Sequence, residues 1–326
     1  MKILVVGGAG YIGSHMVKTL LDAGHEAITL DNLVAGHRDA VLTGTFILGD
    51  IADRAQLDRL FSLHQFDGVM HFASHIQVGE SMSDPSKYYR NNVSNTQNLL
   101  DAMVAHRVLH FIFSSTAAIF GEPQYTPIDE AHPKLPINPY GHSKLMVEQM
   151  LTDYDSAYGL KSVCLRYFNA AGAHPDGLLG ERHDPETHLI PLILQAASGR
   201  REAISVFGRD YPTADGTCIR DYIHIMDLCQ AHLLALVQLV QGGVSAAYNL
   251  GNGHGFSVQQ IIDAAQQVTQ RPIKIIDAPR REGDPAVLVA DSTLARKKLY
   301  WIPSYADIDT IIQHAWNWEC KQTEAH

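Results

Sequence analysis

"KILVVGGAGYIG" (residues 2–13) decides the fold. Its first five residues are largely apolar and β-branched, the pattern of a strand buried on both faces of a parallel sheet. A glycine turn follows, and then "SHMVKTLLDAG" (14–24), whose apolar residues recur at helical spacing until Gly24 stops the run. "HEAITLD" (25–31) reads as the next strand and ends in Asp31, eighteen positions after Gly13. Strand, glycine turn, helix, strand and acid together make a dinucleotide-binding unit. Gly7 permits the tight turn, Gly10 lets backbone approach a pyrophosphate, and Gly13 lets helix and strand pack closely. The helix N-terminus then faces the phosphate charge. The spacing is G-x-x-G-x-x-G rather than the generic G-x-G-x-x-G, so the flanking elements carry the reading. A carboxylate at Asp31 can accept both ribose hydroxyls and would repel a 2′-phosphate, which favours NAD over NADP.

The alternation continues outward. "TFILGD" (45–50), "DGVMHFAS" (67–74), "VLHFIFSS" (108–115) and "LKSVCLRYFN" (160–169) read as strands. Helical patterns lie between them at 53–64, 85–106 and 138–159. Repeated β-α units of this kind predict a doubly wound parallel Rossmann sheet, with ligands beyond the carboxyl ends of its strands. Those ends carry Gly7–Gly13, Asp31, Asp50, Phe72–Ala73, Ser114–Thr116 and Asn169, so Thr116 can meet the helix that carries Tyr140.

Composition limits the rest. At 326 residues, two lobes are expected: a dinucleotide-binding domain over 1–172 and a smaller C-terminal α/β lobe over 173–326. A strand near 247–250 is expected to return to the first. A net charge of −10 argues against a nucleic-acid surface or a polybasic membrane contact. Four scattered cysteines, without a Cys-x-x-Cys pair, fit a reducing compartment. The N-terminal apolar run is too short for a signal-peptide core, so a cytoplasmic protein is expected.

"NPYGHSKLMVEQM" (138–150) places Tyr140 four residues before Lys144 on one helical face. A free phenol titrates near pH 10 and is a poor base at neutrality. A neighbouring ammonium would favour the phenolate, and the same lysine can hold a nicotinamide ribose. With a hydroxyl from Thr116 sharing the substrate's hydrogen bond, the three residues point to hydride chemistry at a carbinol.

"GGAGYIG", "HFAS", "NNVSNTQNLL", "FIFSSTAAIFGE", "PYGHSK" and "LRYFNAAGAHPDG" resemble the extended short-chain dehydrogenase/reductase family. Later stretches, "VFGRDYPTADGTCIRDYIHIMDL", "YNLGNGHGFSV" and "PRREGDPAVLVAD", resemble its nucleotide-sugar 4-epimerase branch, so the likeness runs from about residue 1 to 320. It implies reversible C4 epimerisation of UDP-glucose and UDP-galactose through a 4-keto sugar, with tightly held NAD and no net redox change. It implies NAD contacts from Tyr11, Ile12, Asp31, Asn32, Asp50, Ile51, Phe72, Ala73, Asn91, Tyr140, Lys144 and Phe168. For the UDP-sugar it implies Thr116, Asn169, His188, Leu189, Phe207, Arg220, Tyr222, Arg281, Asp284 and Leu288. Arg220 and Arg281 suit a diphosphate clamp in an otherwise acidic chain. Leu288 stands at the family's sugar-pocket gate, where its intermediate size leaves UDP-N-acetyl sugars open. The long helices 85–106 and 138–157 resemble the pair through which relatives form homodimers.

Three positions depart from the family pattern. The catalytic hydroxyl is Thr116 where serine is common, Ile76 replaces a lysine that contacts NAD, and His188 stands where an asparagine often meets substrate. Ala117 and Ala118 occupy the places of the Asp-Glu pair that dehydratases use, which argues against dehydration. A nucleotide-sugar decarboxylase or uronate epimerase of the same fold and a catalytically silent NAD sensor are the remaining rivals. The His71/His75 spacing falls on a strand with no following acid, so no metal ligand set is expected there. Trp316 and Trp318 lie two apart in a C-terminal helix, so one is expected inward and the other over the edge.

Overall fold

The computed structural model describes residues 1–281 and 283–324. Its main sheet begins with β1 (Lys2–Val6), β2 (Glu26–Asp31), β3 (Thr45–Leu48), β4 (Gly68–His71), β5 (His110–Thr116) and β6 (Lys161–Tyr167). The second half supplies β7 (Asn169–Ala171), β8 (Ile204–Phe207), β9 (Ile219–His224), β10 (Ala246–Leu250), β11 (Gly255–Ser257), β12 (Ile275–Ala278) and β13 (Val287–Leu288). Seven strands form one parallel sheet in the order β3-β2-β1-β4-β5-β6-β10.

β1 shows why its sequence is continuously apolar. Ile3 and Val5 enter the core on one face, while Leu4 and Val6 enter the core on the other. Each is no more than 1% exposed, and each burial is worth about 1.5–3 kcal/mol. β10 pairs with β6, from Ala246↔Val163 to Leu250↔Tyr167, at the end of the sheet opposite β3.

The remaining strands lie outside the main sheet. β9 pairs with β11, β13 and β7, while β8 and β12 form a separate two-stranded sheet. A third core unites the helices Leu189–Ser198, Val258–Thr269 and Ile308–Glu324. Trp316 packs against that core, whereas the Trp318 indole donates to the Glu181 carbonyl at 3.0 Å.

The helix expected to run unbroken over 85–106 is interrupted. Pro85–Tyr88 and Asn95–Ala105 are α-helical, but Tyr89–Ser94 is wound as a π-turn. The cause is buried Asn92: its Oδ1 accepts from His75 N (2.9 Å), and its amide donates to His75 O (3.0 Å) and Ser143 Oγ (3.1 Å). Widened helical turns recur at functional sites, and this one brings Asn91 to the cleft edge.

Candidate active site

A cavity of about 1150 Å³ opens beyond the carboxyl ends of β1, β2, β4 and β5. Gly7, with φ of +79°, turns the chain out of β1; an added Cβ would lie 2.5 Å from Ala73 N. At Gly13 a Cβ would lie 2.1 Å from Gly7 O, so helix and strand meet there without room for a methyl group. The helix Tyr11–Asp22 starts at Gly10 with no side-chain cap and no acid in its first turn. Its amino end therefore keeps donors and a positive dipole end toward the cavity. Asp31 accepts from Ala9 N (2.9 Å) and Leu33 N (2.8 Å), one bond on each oxygen, which leaves lone pairs for ribose hydroxyls. These features fit NAD: a cradle only glycine allows, an uncapped helix end and an acid at the adenosine side.

All fifteen positions expected to hold the cofactor line this one cavity: Gly7, Gly10, Tyr11, Ile12, Gly13, Asp31, Asn32, Asp50, Ile51, Phe72, Ala73, Asn91, Tyr140, Lys144 and Phe168. Asn32 donates to Asp50 at 2.8 Å, tying two of them together. Ile76 also lines the wall, 39% exposed.

Asn138 caps the Tyr140 helix by accepting from Gly141 N at 2.8 Å. One turn in, Lys144 is almost wholly buried and donates to Ser74 Oγ and Ser114 O, both at 2.8 Å. Thr116 ends β5, and its hydroxyl oxygen accepts from Ala118 N (3.1 Å), leaving its proton free to donate. Burial raises the Tyr140 phenol above its ordinary value, and the Thr116 hydroxyl opposes that. Burial also brings Lys144 down to about 7, against the pull of the Glu148 carboxylate. The lysine was expected to drive the phenol toward neutrality; in the protein alone, desolvation of both groups prevails.

Sequence reading missed the support beneath this pair. Glu148, one further turn along the helix, accepts from Arg166 through both oxygens (2.9 and 2.6 Å) and from Ser115 Oγ (2.6 Å). The signal was available as Lys144 and Glu148 at i, i+4, but Arg166 comes from β6.

The substrate-side positions divide. Thr116, Asn169, His188, Arg220, Asp284 and Leu288 line the same cavity. The Asn169 amide donates to Asp221 O at 2.9 Å, holding its side chain against β9. Leu288 packs with Phe168 beside Ile119, Phe120 and Ile128. Leu189, Phe207, Tyr222 and Arg281 do not line the cavity. Tyr222 lies in the third core with Leu189 packed against that core, and the Arg281 guanidinium sits over the Phe207 ring at 4.0 Å. Arg220 is bonded to Asp284 instead of standing free as half of a clamp. The Asp284 carboxylate satisfies the arginine's charge through that bond.

Glycine turn, acid and buried Tyr-x-x-x-Lys pair around one cavity define the class: a dinucleotide-binding α/β protein of short-chain dehydrogenase/reductase type. More narrowly, the chain belongs to the NAD dependent epimerase/dehydratase family, whose model matches residues 3–251. It is 54% identical over 318 residues to the UDP-glucose 4-epimerase of Halalkalibacterium halodurans, covering 98% of this chain and 95% of that protein. The UDP-glucose 4-epimerase of Brucella ovis, solved in complex with NAD, superposes with a TM-score of 0.95 at 50% identity, covering 97% of each chain. The UDP-Glc/GlcNAc 4-epimerase of Campylobacter jejuni gives a TM-score of 0.86 at 45% identity, covering 98% of this chain and 99% of that one. The fold and the NAD-dependent epimerase assignment expected from sequence both stand. No helix among the described residues is long and apolar enough to cross a membrane.

Proposed function

We propose that this protein interconverts UDP-glucose and UDP-galactose at C4 of the sugar. The observation that carries the reading is the convergence of Tyr140, Lys144 and Thr116 on the cavity that also holds the glycine turn and Asp31. Bound NAD would supply a recyclable hydride acceptor for the sugar. Tyr140 takes the 4-hydroxyl proton and later returns it, while Thr116 donates to the sugar oxygen as its charge changes. Lys144, fixed by Ser74 and Ser114, holds the nicotinamide ribose and stabilises the phenolate. The lobe over 173–326 grips the UDP-sugar, and Arg220 exchanges Asp284 for the diphosphate. Asp284 then becomes available to the uridine ribose. Arg281 and Phe207 reach the nucleotide by closing over it, and Leu189 and Tyr222 support that wall from the core.

Leu288 on the cavity wall, together with the Campylobacter enzyme's named use of UDP-Glc and GlcNAc, favours a second reading in which UDP-N-acetyl sugars are also epimerised. We further propose a cytoplasmic homodimer. Met146 is 46% exposed on the Tyr140 helix, as an unpartnered helix face requires, and Cys164, Cys218 and Cys229 are buried thiols suited to reducing conditions.

The deciding assay incubates purified protein with UDP-galactose and no added NAD, then heat-kills it before UDP-glucose is read by a coupled dehydrogenase. Product establishes 4-epimerisation with a retained cofactor. No product, even after NAD is supplied, overturns the reading in favour of a uronate or pentose nucleotide sugar or a silent sensor.

A further inference from the structure

We propose that Glu181, His183, Glu186 and His188 form a site for one divalent transition-metal ion of the zinc class at the rim of the nucleotide cavity. One ligand atom from each residue lies within 4.8 Å of all the others. His188 Nδ1 is 2.7 Å from Glu181 Oε1 and 3.2 Å from Glu186 Oε1. His183 Nδ1 is 3.0 Å from Glu181 Oε1 and 3.7 Å from Glu186 Oε2. A tetrahedral ion with bonds of about 2.0–2.2 Å needs its ligand atoms about 3.3–3.6 Å apart, so small rotations would seat one.

The donor set narrows the ion. Two imidazoles with two carboxylates suit zinc and its neighbours, whereas calcium and magnesium prefer oxygen alone. Two carboxylates and two neutral imidazoles also match a 2+ charge. His183 Nδ1, though close to Glu181, is a buried nitrogen without a hydrogen bond in line. An ion would take the place of the proton that this nitrogen otherwise shares with the two carboxylates.

The segment is held from outside, as a ligand loop must be. The Trp318 indole fixes the Glu181 carbonyl at 3.0 Å, and His37 donates to the Arg182 carbonyl at 2.9 Å. Arg182 pairs with Asp39 of the first lobe through both guanidinium nitrogens (3.1 and 2.5 Å). The His183 ring lies edge-on to Tyr11 of the glycine turn at 6.3 Å. An ion here would clip the loop that leads into the helix Leu189–Ser198 against the cofactor side of the cleft. The rival state is an ion-pair network without metal: the two carboxylates raise His183 to about 9 and His188 to about 10 despite burial.

The proposal shares His188 with the expected UDP-sugar contacts, so its test reads metal and not turnover. Untagged protein is dialysed against a chelator and titrated with Co2+, following visible absorption, with Zn2+ as competitor. Glu186→Gln and His183→Asn are titrated alongside, with far-UV circular dichroism as a folding check. We expect one equivalent of Co2+ with tetrahedral bands, displaced by Zn2+. Each folded variant should bind about 100-fold more weakly, since losing even a supporting partner costs about 10–100-fold. Absence of the bands, or equal affinity in the variants, overturns the site in favour of the ion-pair network. If neither variant folds, the wild-type unfolding midpoint decides: a rise with stoichiometric Zn2+ supports the site, and no change overturns it.

Discussion

Lys144 lies one helical turn from Tyr140, with its ammonium 6.0 Å from the centre of the phenol ring, yet it spends two hydrogen bonds on Ser74 and Ser114. The pair is thus held apart and in register by groups from β5 and the loop after β4. That spacing leaves room for a ribose beside the lysine and for a sugar hydroxyl between Tyr140 and Thr116.

Tyr140→Phe removes the proton acceptor and little else. Turnover should fall about 10²–10⁴-fold, the usual contribution of a positioned base. NAD should remain bound, because the ring keeps its edge contact with Tyr88. Activity and the nucleotide released on denaturation measure both; near-normal turnover would remove Tyr140 from the mechanism.

Lys144 also predicts a pH dependence of stability. Its folded value is lowered to about 7, so between there and the ordinary lysine range the unfolded chain holds a proton that the folded chain has lost. Stability contributed through this group therefore rises with pH from about 7 upward. Denaturant unfolding of cofactor-free protein at pH 7 and 9 should show that gain relative to Lys144→Met. Equal slopes would mean that neighbours keep the ammonium fully charged.

Gly13→Ala forces a methyl against the Gly7 carbonyl and should cost about 1–3 kcal/mol, with loss of retained NAD. Gly79→Ala is the control, since its added methyl meets nothing and removing glycine from a helix gains about 0.5–1 kcal/mol. Thermal melts and cofactor content compare them. Equal behaviour would contradict the close approach.

Glu148→Ala strands Arg166, whose side chain is 5% exposed, without its partner. Breaking a buried pair in this way costs about 3–5 kcal/mol. Guanidinium unfolding should show it, and a loss below about 1 kcal/mol would mean that water reaches the arginine.

Leu288 sets the last expectation. Leu288→Tyr should lower the rate with UDP-N-acetylgalactosamine relative to UDP-galactose by about 10-fold or more, and Leu288→Ala should raise it. An unchanged ratio would place the gate elsewhere on the wall.

What could be read from the chain depended on how local its cause was. β1 and the turn at Gly7 were legible because strand period and glycine geometry act over a few residues. The eight residues from Glu181 to His188 carry three acids and two histidines, a signal that was passed over because a polar loop has no periodicity to fix where its side chains point. The π-turn at 89–94 was not legible either, since Asn92 is drawn by His75 and Ser143 from other parts of the fold.

By itself the sequence determined the alternating β-α order, the glycine cradle, the acid at Asp31 and the Tyr140–Lys144 spacing, because these follow from backbone sterics and helical period. Only the tertiary structure decided that Arg220 bonds Asp284, that Arg281 stacks on Phe207, and that Glu148 grips Arg166 below the lysine. Those choices are made by charges and rings brought together from distant segments, where burial removes the water that would otherwise satisfy them.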